Sequence, residues 1–408
     1  GGMLTYGIPS FKLQKDVIEA EVEVIRLMGA EFRYGVEVGR DVTLDELRAQ
    51  GFKAFYVAIG CQGGRLAGIS GEDAEDVTVA VDFLREVNSG KIDALPGRTI
   101  VVGGGNVAID VARNACRLGS EHVEMFCLES EAQMPASEEE RREAVEDGAH
   151  ISCGWGPKEV HLDEAGRVCG ITFKRCTRVF DDEGRFAPEY DENDLRRVDA
   201  DRVVMSIGQS IVWGDLLAGS KVELGRGQGA LADPQTYQTA EPDIFVGGDV
   251  YTGPSFAIDA IAAGHEAAVS IHRFVQPGST LTIGRNQRRY TALDRDDVVL
   301  ESYDNASREV AHVDREREKA APFSEYVETF TEEQVRAETA RCLGCGASIV
   351  DPNKCIGCGL CTTKCTFDAI HLDRDRPECS TMVKYEQKLP SLGKYALKRA
   401  IKIKFGKK

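Results

Sequence analysis

The segment RTIVVGGGNVAIDVAR, residues 98–113, contains a strand, a glycine-rich turn and the start of a helix. RTIVV is apolar and β-branched, as expected of a strand that is buried on both faces. Beyond the glycines, apolar residues recur at helical spacing, which predicts a helix. This helix is expected to end at Gly119, because glycine is a favoured C-cap residue. HVEMFCLE, residues 122–129, then predicts a second strand. This β-α-β order is typical of a dinucleotide-binding unit.

The glycine turn has the G-x-G-x-x-G/A spacing at Gly103, Gly105 and Ala108. The first glycine permits the turn, and the second lets the backbone approach a pyrophosphate. The small third residue lets the helix pack on the strand, and the helix N-terminus faces the phosphates. The alternative is a plain tight turn, but the strands and helix around it favour a dinucleotide site.

An acidic residue at the end of the second strand predicts the choice of coenzyme. Glu129 lies 24 residues after Gly105, where a carboxylate can bind the ribose hydroxyls. A 2′-phosphate would meet a like charge there, so NADH is favoured over NADPH. The alternative interpretation is a solvated glutamate at a strand end.

Charge and composition exclude several classes of protein. The 408 residues carry a formal charge of −17, which argues against general nucleic-acid binding. Residues 384–408 form a basic tail of charge +8, predicted to be solvated or to bind a partner rather than a membrane. No apolar run is long enough to span a bilayer and no signal peptide is visible, so we expect a cytoplasmic protein. The sequence does not indicate an oligomeric state.

Seven of the thirteen cysteines cluster between residues 342 and 379. Cys355, Cys358, Cys361 and Cys365 have the spacing of a bacterial ferredoxin, which predicts 4Fe-4S binding. A zinc ribbon is the alternative, but it needs only four sulfurs and leaves the last two of these cysteines unexplained. The predicted metal ligands are Cys342, Cys345, Cys355, Cys358, Cys361, Cys365 and Cys379.

The number of clusters is open between one and two. In two-cluster ferredoxins the fourth cysteine of such a run binds the other cluster, so Cys365 would join Cys342 and Cys345. Two cubanes require eight thiolates, and the block supplies seven. Either one iron has another ligand, or there is one cluster and spare thiols. We favour two clusters.

Several motifs together resemble a known family: GGMLTYGIP, FYVAIG, GRTIVVGGGNVAIDVARNACRLGSEHVEMF, MPAS, ADRVVMSIGQ and DIFVGGDVYTGPSFAIDAIAAG. They are similar, in order, to the small-subunit family of glutamate synthase, whose members are FAD- and NAD(P)H-dependent flavoproteins. The resemblance covers roughly residues 1–275. TEEQVRAETARCLGCG also resembles members that carry a C-terminal ferredoxin module.

The resemblance implies an α/β fold with two Rossmann-like domains, the NAD domain being inserted in the FAD domain. A small α+β ferredoxin-like iron–sulfur domain would follow. The expected boundaries are 1–74 and 201–275 for the FAD domain, 75–200 for the NAD(P)H domain, 276–335 for an extended connector, 336–380 for the iron–sulfur domain and 381–408 for the basic tail.

The resemblance also implies cofactor contacts. Asp249 matches the family's acidic residue that binds the flavin ribityl chain, and a helix from about Ser255 would direct its positive end at the flavin. The cofactor-binding residues expected within the quoted motifs are Gly1, Gly2, Met3, Leu4, Ala58, Gly60, Gly103, Gly105, Asn106, Val107, Ala108, Glu129, Gly208, Gly248, Asp249, Ser255 and Ala257. No side chain is expected to act as a catalytic residue, because hydride transfer is the chemistry of the cofactors.

Two departures from the family pattern bear on function. Leu128 and Glu129 stand where NADPH-using members are expected to have basic residues, which again favours NADH. The family's first glycine-rich FAD turn should precede Gly1 and is absent, so we expect the chain to begin inside the FAD domain.

Together these features predict an oxidoreductase that passes electrons from NADH through FAD to 4Fe-4S clusters, and on to a ferredoxin or a partner redox subunit. The alternatives are a non-catalytic electron-transfer subunit of a larger complex and a glutamate synthase-type electron-input subunit. A redox-active disulfide mechanism is disfavoured, because Cys61 has no partner at the required spacing.

Overall fold

A computed structural model describes residues 2–285, 306–342, 355–365, 370–372 and 384–405. The chain divides into two compact units, Gly1–Ala337 and Glu338–Lys408, and each is described by itself. In the part of the chain that the structure describes, no helix is both long and apolar enough to cross a membrane.

The first unit contains most of the strands and helices. Its strands are β1 (Phe55–Val57), β2 (Gly63–Gly64), β3 (Val77–Val79), β4 (Arg98–Val102), β5 (His122–Cys127), β6 (His150–Cys153), β7 (Trp155–Leu162), β8 (Val168–Phe180), β9 (Phe186–Val198), β10 (Arg202–Met205), β11 (Gln209–Ser210) and β12 (Ile244–Val246). The α-helices of the described residues are α1 (Met3–Tyr6), α2 (Lys15–Leu27), α3 (Leu44–Ala49), α4 (Ala80–Asn88), α5 (Asn106–Arg117), α6 (Glu138–Glu146), α7 (Asp249–Thr252), α8 (Ala257–Phe274), α9 (Arg315–Ala320), α10 (Glu332–Ala340), α11 (Leu360–Lys364) and α12 (Tyr385–Phe405).

The centre of the first unit is a five-stranded parallel sheet in the order β3-β10-β4-β5-β6. The strand, turn, helix and strand predicted from residues 98–129 are confirmed as β4, α5 and β5. Helix α5 ends as predicted: Gly119 has a φ of +87°, the left-handed conformation typical of the residue that follows a helix.

The two faces of this sheet are covered differently. On one face, Val101 and Met125 pack against helices α4 and α5. On the other face, Ile100 and Phe126 pack against the antiparallel sheet β7-β8-β9, and the ring of Phe126 stacks on that of Phe173 at 3.9 Å. Successive side chains of a strand point to opposite faces of a sheet, so alternate residues of β4 and β5 belong to two different hydrophobic cores.

One expected boundary differs from the observed sheet. The NAD(P)H domain was expected to end at residue 200, but β10 lies inside the sheet between β3 and β4. Val203 and Val204 are fully buried there. The polypeptide therefore leaves this sheet only after Met205.

The remaining strands of the first unit form two small sheets. β1 pairs in parallel with β12, and α8 packs beside β12, with Phe274 edge-on to Phe245 at 5.8 Å. β2 pairs antiparallel with β11. The α/β class and the Rossmann-type architecture predicted from the sequence are confirmed.

The connector expected at residues 276–335 is more structured than an extended strap. It contains helix α9, and Val313 bridges Val327. The spacing of Thr331 and Gln334 predicts a capping box at the start of α10. The structure contains it, because the two residues exchange side-chain-to-backbone hydrogen bonds of 3.0 and 3.3 Å.

The connector is bound to the outer face of α5. Arg113 is 1% exposed; it donates to Asp147 Oδ2 at 2.8 Å and to the hydroxyl of Tyr326 at 2.6 Å. Arg117 donates to Asp147 and to Glu318 Oε1 at 2.7 Å. Two buried guanidinium groups thus hold a segment that lies about two hundred residues further along the chain.

In the second unit, α11 contains Cys361, and the basic tail forms helix α12 with Pro390 inside it. All described residues of α12 are exposed. FDAIHL, residues 367–372, follows Cys365 closely and is predicted to form a short strand. Residues 367–369 lie outside the described residues, and residues 370–372 are not in a strand.

Replacement of Arg113 by Met should lower the free energy of unfolding by about 3 kcal/mol, because a buried ion pair loses one partner. Urea titration would measure this loss. Tyr326→Phe is the matched control: it removes one hydrogen bond and should cost about 1 kcal/mol. Equal losses in the two variants would contradict a dominant role for the charge of Arg113.

Candidate coenzyme and cofactor sites

The glycine turn is tightly packed on one side and open on the other. A Cβ atom at Gly103, where φ is +143°, would lie 2.2 Å from the backbone oxygen of Ser206. A Cβ atom at Gly105 would meet nothing within 4 Å. The turn therefore lies against the end of β10 while its second glycine leaves room for a ligand.

Helix α5 begins at this turn with free backbone donors. Gly105 is its N-cap residue, and no side chain accepts a hydrogen bond from the first turn of the helix. Ala108 is fully buried between helix and sheet, as predicted. An uncapped helix N-terminus beside open space is suited to a phosphate.

A cavity of about 1000 Å³ opens at this turn. It is bounded by the turn, by the end of β5 and by the segment that follows β10. The predicted residues that line it are Gly103, Gly105, Asn106, Val107, Glu129 and Gly208. Five of these were expected to contact the nicotinamide coenzyme, whereas Gly208 was expected in the flavin half.

Glu129 lies half-buried at the margin of this cavity. Its Oε2 atom lies 3.0 Å from the position that a Cβ atom of Gly104 would occupy. Its backbone oxygen accepts a hydrogen bond of 2.9 Å from the amide of Gly154, which fixes the chain just after β5. The carboxylate is therefore close to the glycine turn, as the sequence predicted.

A second cavity, of about 500 Å³, lies between α1, the end of β1 and the start of α8. The predicted flavin-site residues that line it are Gly2, Met3, Leu4, Ala58, Gly60, Gly248, Asp249, Ser255 and Ala257. These come from three segments of the chain that are far apart in sequence. Gly1 lies outside the described residues.

Asp249 faces this second cavity from the start of α7. Its Oδ1 atom accepts a hydrogen bond of 3.3 Å from the amide of Ser255, and burial raises its pKa above the usual value despite that bond. Helix α8 starts at Ala257, and no side chain caps its N-terminus. An acceptor and a set of free backbone donors therefore meet at one end of the cavity.

The two cavities share part of one wall. Val81 of α4, Val107 of α5 and Gln209 of β11 line both of them. The cavity that contains the glycine turn is therefore adjacent to the cavity that contains Asp249.

Comparison with known proteins identifies the family. The model of the pyridine nucleotide-disulphide oxidoreductases matches residues 2–264. The chain belongs to this family. A 4Fe-4S binding domain also matches residues 348–371, which include Cys355, Cys358, Cys361 and Cys365.

Two curated relatives fit the resemblance inferred from the sequence. The NADP(+)-dependent formate dehydrogenase subunit beta of Moorella thermoacetica is 34% identical, over 85% of this chain and 49% of its own length. The glutamate synthase [NADPH] small chain of Escherichia coli is 33% identical, over 68% of this chain and 61% of its own length. The resemblance is confirmed, and the chain spans between about half and three fifths of these two relatives.

A solved structure supports the fold. FprA of Mycobacterium tuberculosis in complex with NADPH aligns with a TM-score of 0.54 at 19% identity, over 66% of this chain and 74% of that protein. At this identity the likeness concerns the fold alone.

The structure describes five of the predicted metal ligands, and none of these five forms a disulfide bond: Cys342, Cys355, Cys358, Cys361 and Cys365. Cys345 and Cys379 lie outside the described residues. Among the described residues, no three His, Cys, Asp or Glu side chains are grouped as they would be around one ion.

The loop that carries these cysteines is nevertheless compatible with a cluster. Gly357 and Gly359 have φ of +67° and +74°, which lets the backbone curve between successive cysteines. The amide of Gly357 donates to the Cys355 sulfur at 3.4 Å. The donor set and the turn therefore suit a 4Fe-4S cluster in this family member.

Sequence reasoning did not identify the ion pair beside the second cavity. Asp110 of α5 lines that cavity, and Lys12 Nζ lies 2.6 Å from its Oδ1 atom and also binds Glu140. Burial raises the pKa of Asp110 to about 6, although Lys12 opposes this shift. The sequence does contain one indication of this pair, because Asp110 is an acidic residue within the otherwise largely apolar helix sequence NVAIDVA.

The raised pKa of Asp110 gives a predicted pH dependence. Its proton is held more tightly in the folded state than in the unfolded chain, where an aspartate has a pKa near 3.9. This stabilisation is complete below about pH 4 and is lost as the pH rises through about 6.

Relative to Asp110→Asn, the wild-type chain should therefore lose about 2–3 kcal/mol of unfolding free energy between pH 4 and pH 7.5. Urea titrations of both proteins across this range would measure the difference. A difference that does not vary with pH would contradict the assignment.

Proposed function

We propose that this chain transfers a hydride from NADH to FAD and passes the electrons singly to one or two 4Fe-4S clusters. The observation that carries the proposal is the wall of Val81, Val107 and Gln209 that the two cavities share. A coenzyme in the first cavity and a flavin in the second would meet at this wall. Flavin is suited to the step because it accepts two electrons together and releases them one at a time.

The second cavity suits FAD by its chemistry. Asp249 can accept a hydrogen bond from a ribityl hydroxyl, and the free N-terminus of α8 would stabilise negative charge on the flavin ring. Gly248 lines this cavity with φ of +66°, a left-handed conformation that favours glycine, so no side chain stands between its backbone and the cavity. We assign residues 2–74 and 206–275 to the flavin half and residues 75–205 to the coenzyme half.

NADH rather than NADPH is the proposed electron donor. The reason is the carboxylate of Glu129 next to the glycine turn, which would repel a 2′-phosphate. Leu128 and Ser130 beside it carry no positive charge. The names of the two relatives described above contain NADP(+) and NADPH. We therefore propose that this chain differs from them in its choice of coenzyme.

The electrons are proposed to leave through the iron–sulfur unit. Its ligands would come from Cys342, Cys345, Cys355, Cys358, Cys361, Cys365 and Cys379. The acceptor would be a ferredoxin or a partner redox subunit, in a reducing compartment such as the cytoplasm, where clustered cysteines serve as metal ligands rather than as disulfides.

A second candidate function is that of an electron-transfer subunit without coenzyme oxidation of its own. It is favoured by the names of the two relatives, a subunit beta and a small chain, because both imply larger assemblies. A glutamate synthase-type electron-input subunit is one form of this role. Flavin reduction by NADH in the isolated protein distinguishes the first function from this one.

Substitution of Val107 by Phe should test the shared wall. The phenyl ring is larger than the valine side chain and should separate nicotinamide from flavin. Hydride transfer should then slow by about 100-fold, because a displacement of about 1 Å between reacting groups can reduce a rate by this factor. The measurement is anaerobic stopped-flow bleaching of FAD by NADH, followed by the EPR signal of reduced clusters.

The matched control is Val145→Phe on the exposed side of α6, where the side chain is 57% exposed. It should bleach at the wild-type rate. A wild-type protein that retains FAD but is not bleached by NADH would refute the proposed function, and equal rates in both variants would refute the role of the wall.

Replacement of Glu129 by Arg should narrow or invert the preference for NADH, because repulsion of a 2′-phosphate becomes attraction. Steady-state kcat/KM values for NADH and NADPH measure this. A wild-type protein that prefers NADPH would contradict the assigned role of Glu129.

A further inference from the structure

The cavity at the glycine turn extends beyond Glu129 to the antiparallel sheet β7-β8-β9. Trp155, Lys174 and Tyr190, one from each strand, line this part of the cavity. Among the described residues that line this cavity, Lys174 is the only lysine or arginine. This part of the cavity therefore combines aromatic rings with one lysine in its lining, and the guanidinium group of Arg175 lies nearby, 5.1 Å from the centroid of the Trp155 ring.

Leu128, the residue before Glu129, connects the end of β5 to this sheet. A Cβ atom at Gly156 would lie 2.9 Å from Cδ2 of Leu128 and 2.5 Å from Cε1 of Tyr190. The absence of a side chain at Gly156 lets the ring of Tyr190 and the side chain of Leu128 approach the same point. Tyr190 is therefore a near neighbour of the strand end where a coenzyme ribose is expected.

Lys174 is held over the ring of Tyr190. Its Nζ atom lies 4.1 Å from the ring centroid and 2.7 Å from Oε1 of Glu192. The side chain is 21% exposed, so its charge is only partly screened by solvent. Lys158 also pairs with Glu192, at 3.2 Å, but does not line the cavity.

We propose that Lys174 and Tyr190 form a subsite for the adenosine end of the coenzyme, in which Lys174 binds a 2′-phosphate. The proposal rests on the proposed function, because it places the adenosine end beyond Glu129 in the same cavity. The ring of Tyr190 offers an aromatic surface for adenine or ribose, and Lys174, held beside this ring, offers an ammonium group for the phosphate.

Two opposing charges then set the choice of coenzyme. Glu129 repels a 2′-phosphate, and Lys174 attracts it. Glu192 offsets part of the attraction, because it already holds Lys174 in an ion pair. A 2′-phosphate must compete with this carboxylate, so the chain should accept NADPH less well than NADH without excluding it.

The test uses the full chain without FAD and two fragments of the coenzyme, 5′-ADP and 2′,5′-ADP. Isothermal calorimetry gives the two dissociation constants, and thermal midpoints confirm that each variant is folded. Lys174→Gln should raise the dissociation constant of 2′,5′-ADP by about tenfold and that of 5′-ADP by less than twofold, because only 2′,5′-ADP has the 2′-phosphate. Glu192→Gln should lower the dissociation constant of 2′,5′-ADP severalfold, because Lys174 loses its competing carboxylate partner.

Lys158→Gln is the matched control, since it removes a partner of Glu192 that lies off the cavity. It should leave the ratio of the two dissociation constants close to that of the wild type. An unchanged ratio in Lys174→Gln, or the same change in both lysine variants, would overturn the subsite. So would a wild-type chain that binds 5′-ADP but not 2′,5′-ADP. If neither fragment binds, the coenzyme cavity itself is wrong, and the proposed function fails with it.

Discussion

The arrangement of both cavities depends on the close approach of Gly103 to the end of β10. Only a residue without a Cβ atom fits at 2.2 Å from the Ser206 oxygen, so the turn and the segment that follows β10 lie against each other. This contact positions Gly208 and Gln209 beside the N-terminus of α5. One backbone contact between adjacent parallel strands thus brings together the two sides of the cavity at the glycine turn.

Helix α5 uses its remaining surface for three further purposes. Its first turn opens into the coenzyme cavity, while Val107 and Asp110, three residues apart, line the second cavity. Arg113 and Arg117 bind the connector through Tyr326 and Glu318. Because residues at i, i+3 and i+4 share a helix face, a single helix can link two cavities to a distant segment of the chain.

The sequence was sufficient for features that depend on local chemistry. The turn between β4 and α5, the end of α5 at Gly119 and the capping box at Thr331 are each specified by neighbouring residues, and all are confirmed. Features that depend on distant partners were not predicted. Lys12 and Asp110 are 98 residues apart, and β10 could be assigned to its sheet only from its pairing with β3 and β4. Apart from Gly208, the expected flavin-site residues that the structure describes line one cavity, but their role there remains a prediction.

The antiparallel sheet on the second face of the parallel sheet has a consequence for the divergence of this protein. β8 and β9 form a long hairpin whose tip is closed by Phe180 and Phe186, with ring centroids 6.3 Å apart, and whose outer residues are largely exposed. Substitutions at Lys174 or Tyr190 on this hairpin would leave the glycine turn and α5 intact. In the proposed arrangement, the hairpin's contribution to coenzyme selectivity can therefore evolve, or be exchanged by grafting one hairpin, separately from the glycine turn and from Glu129.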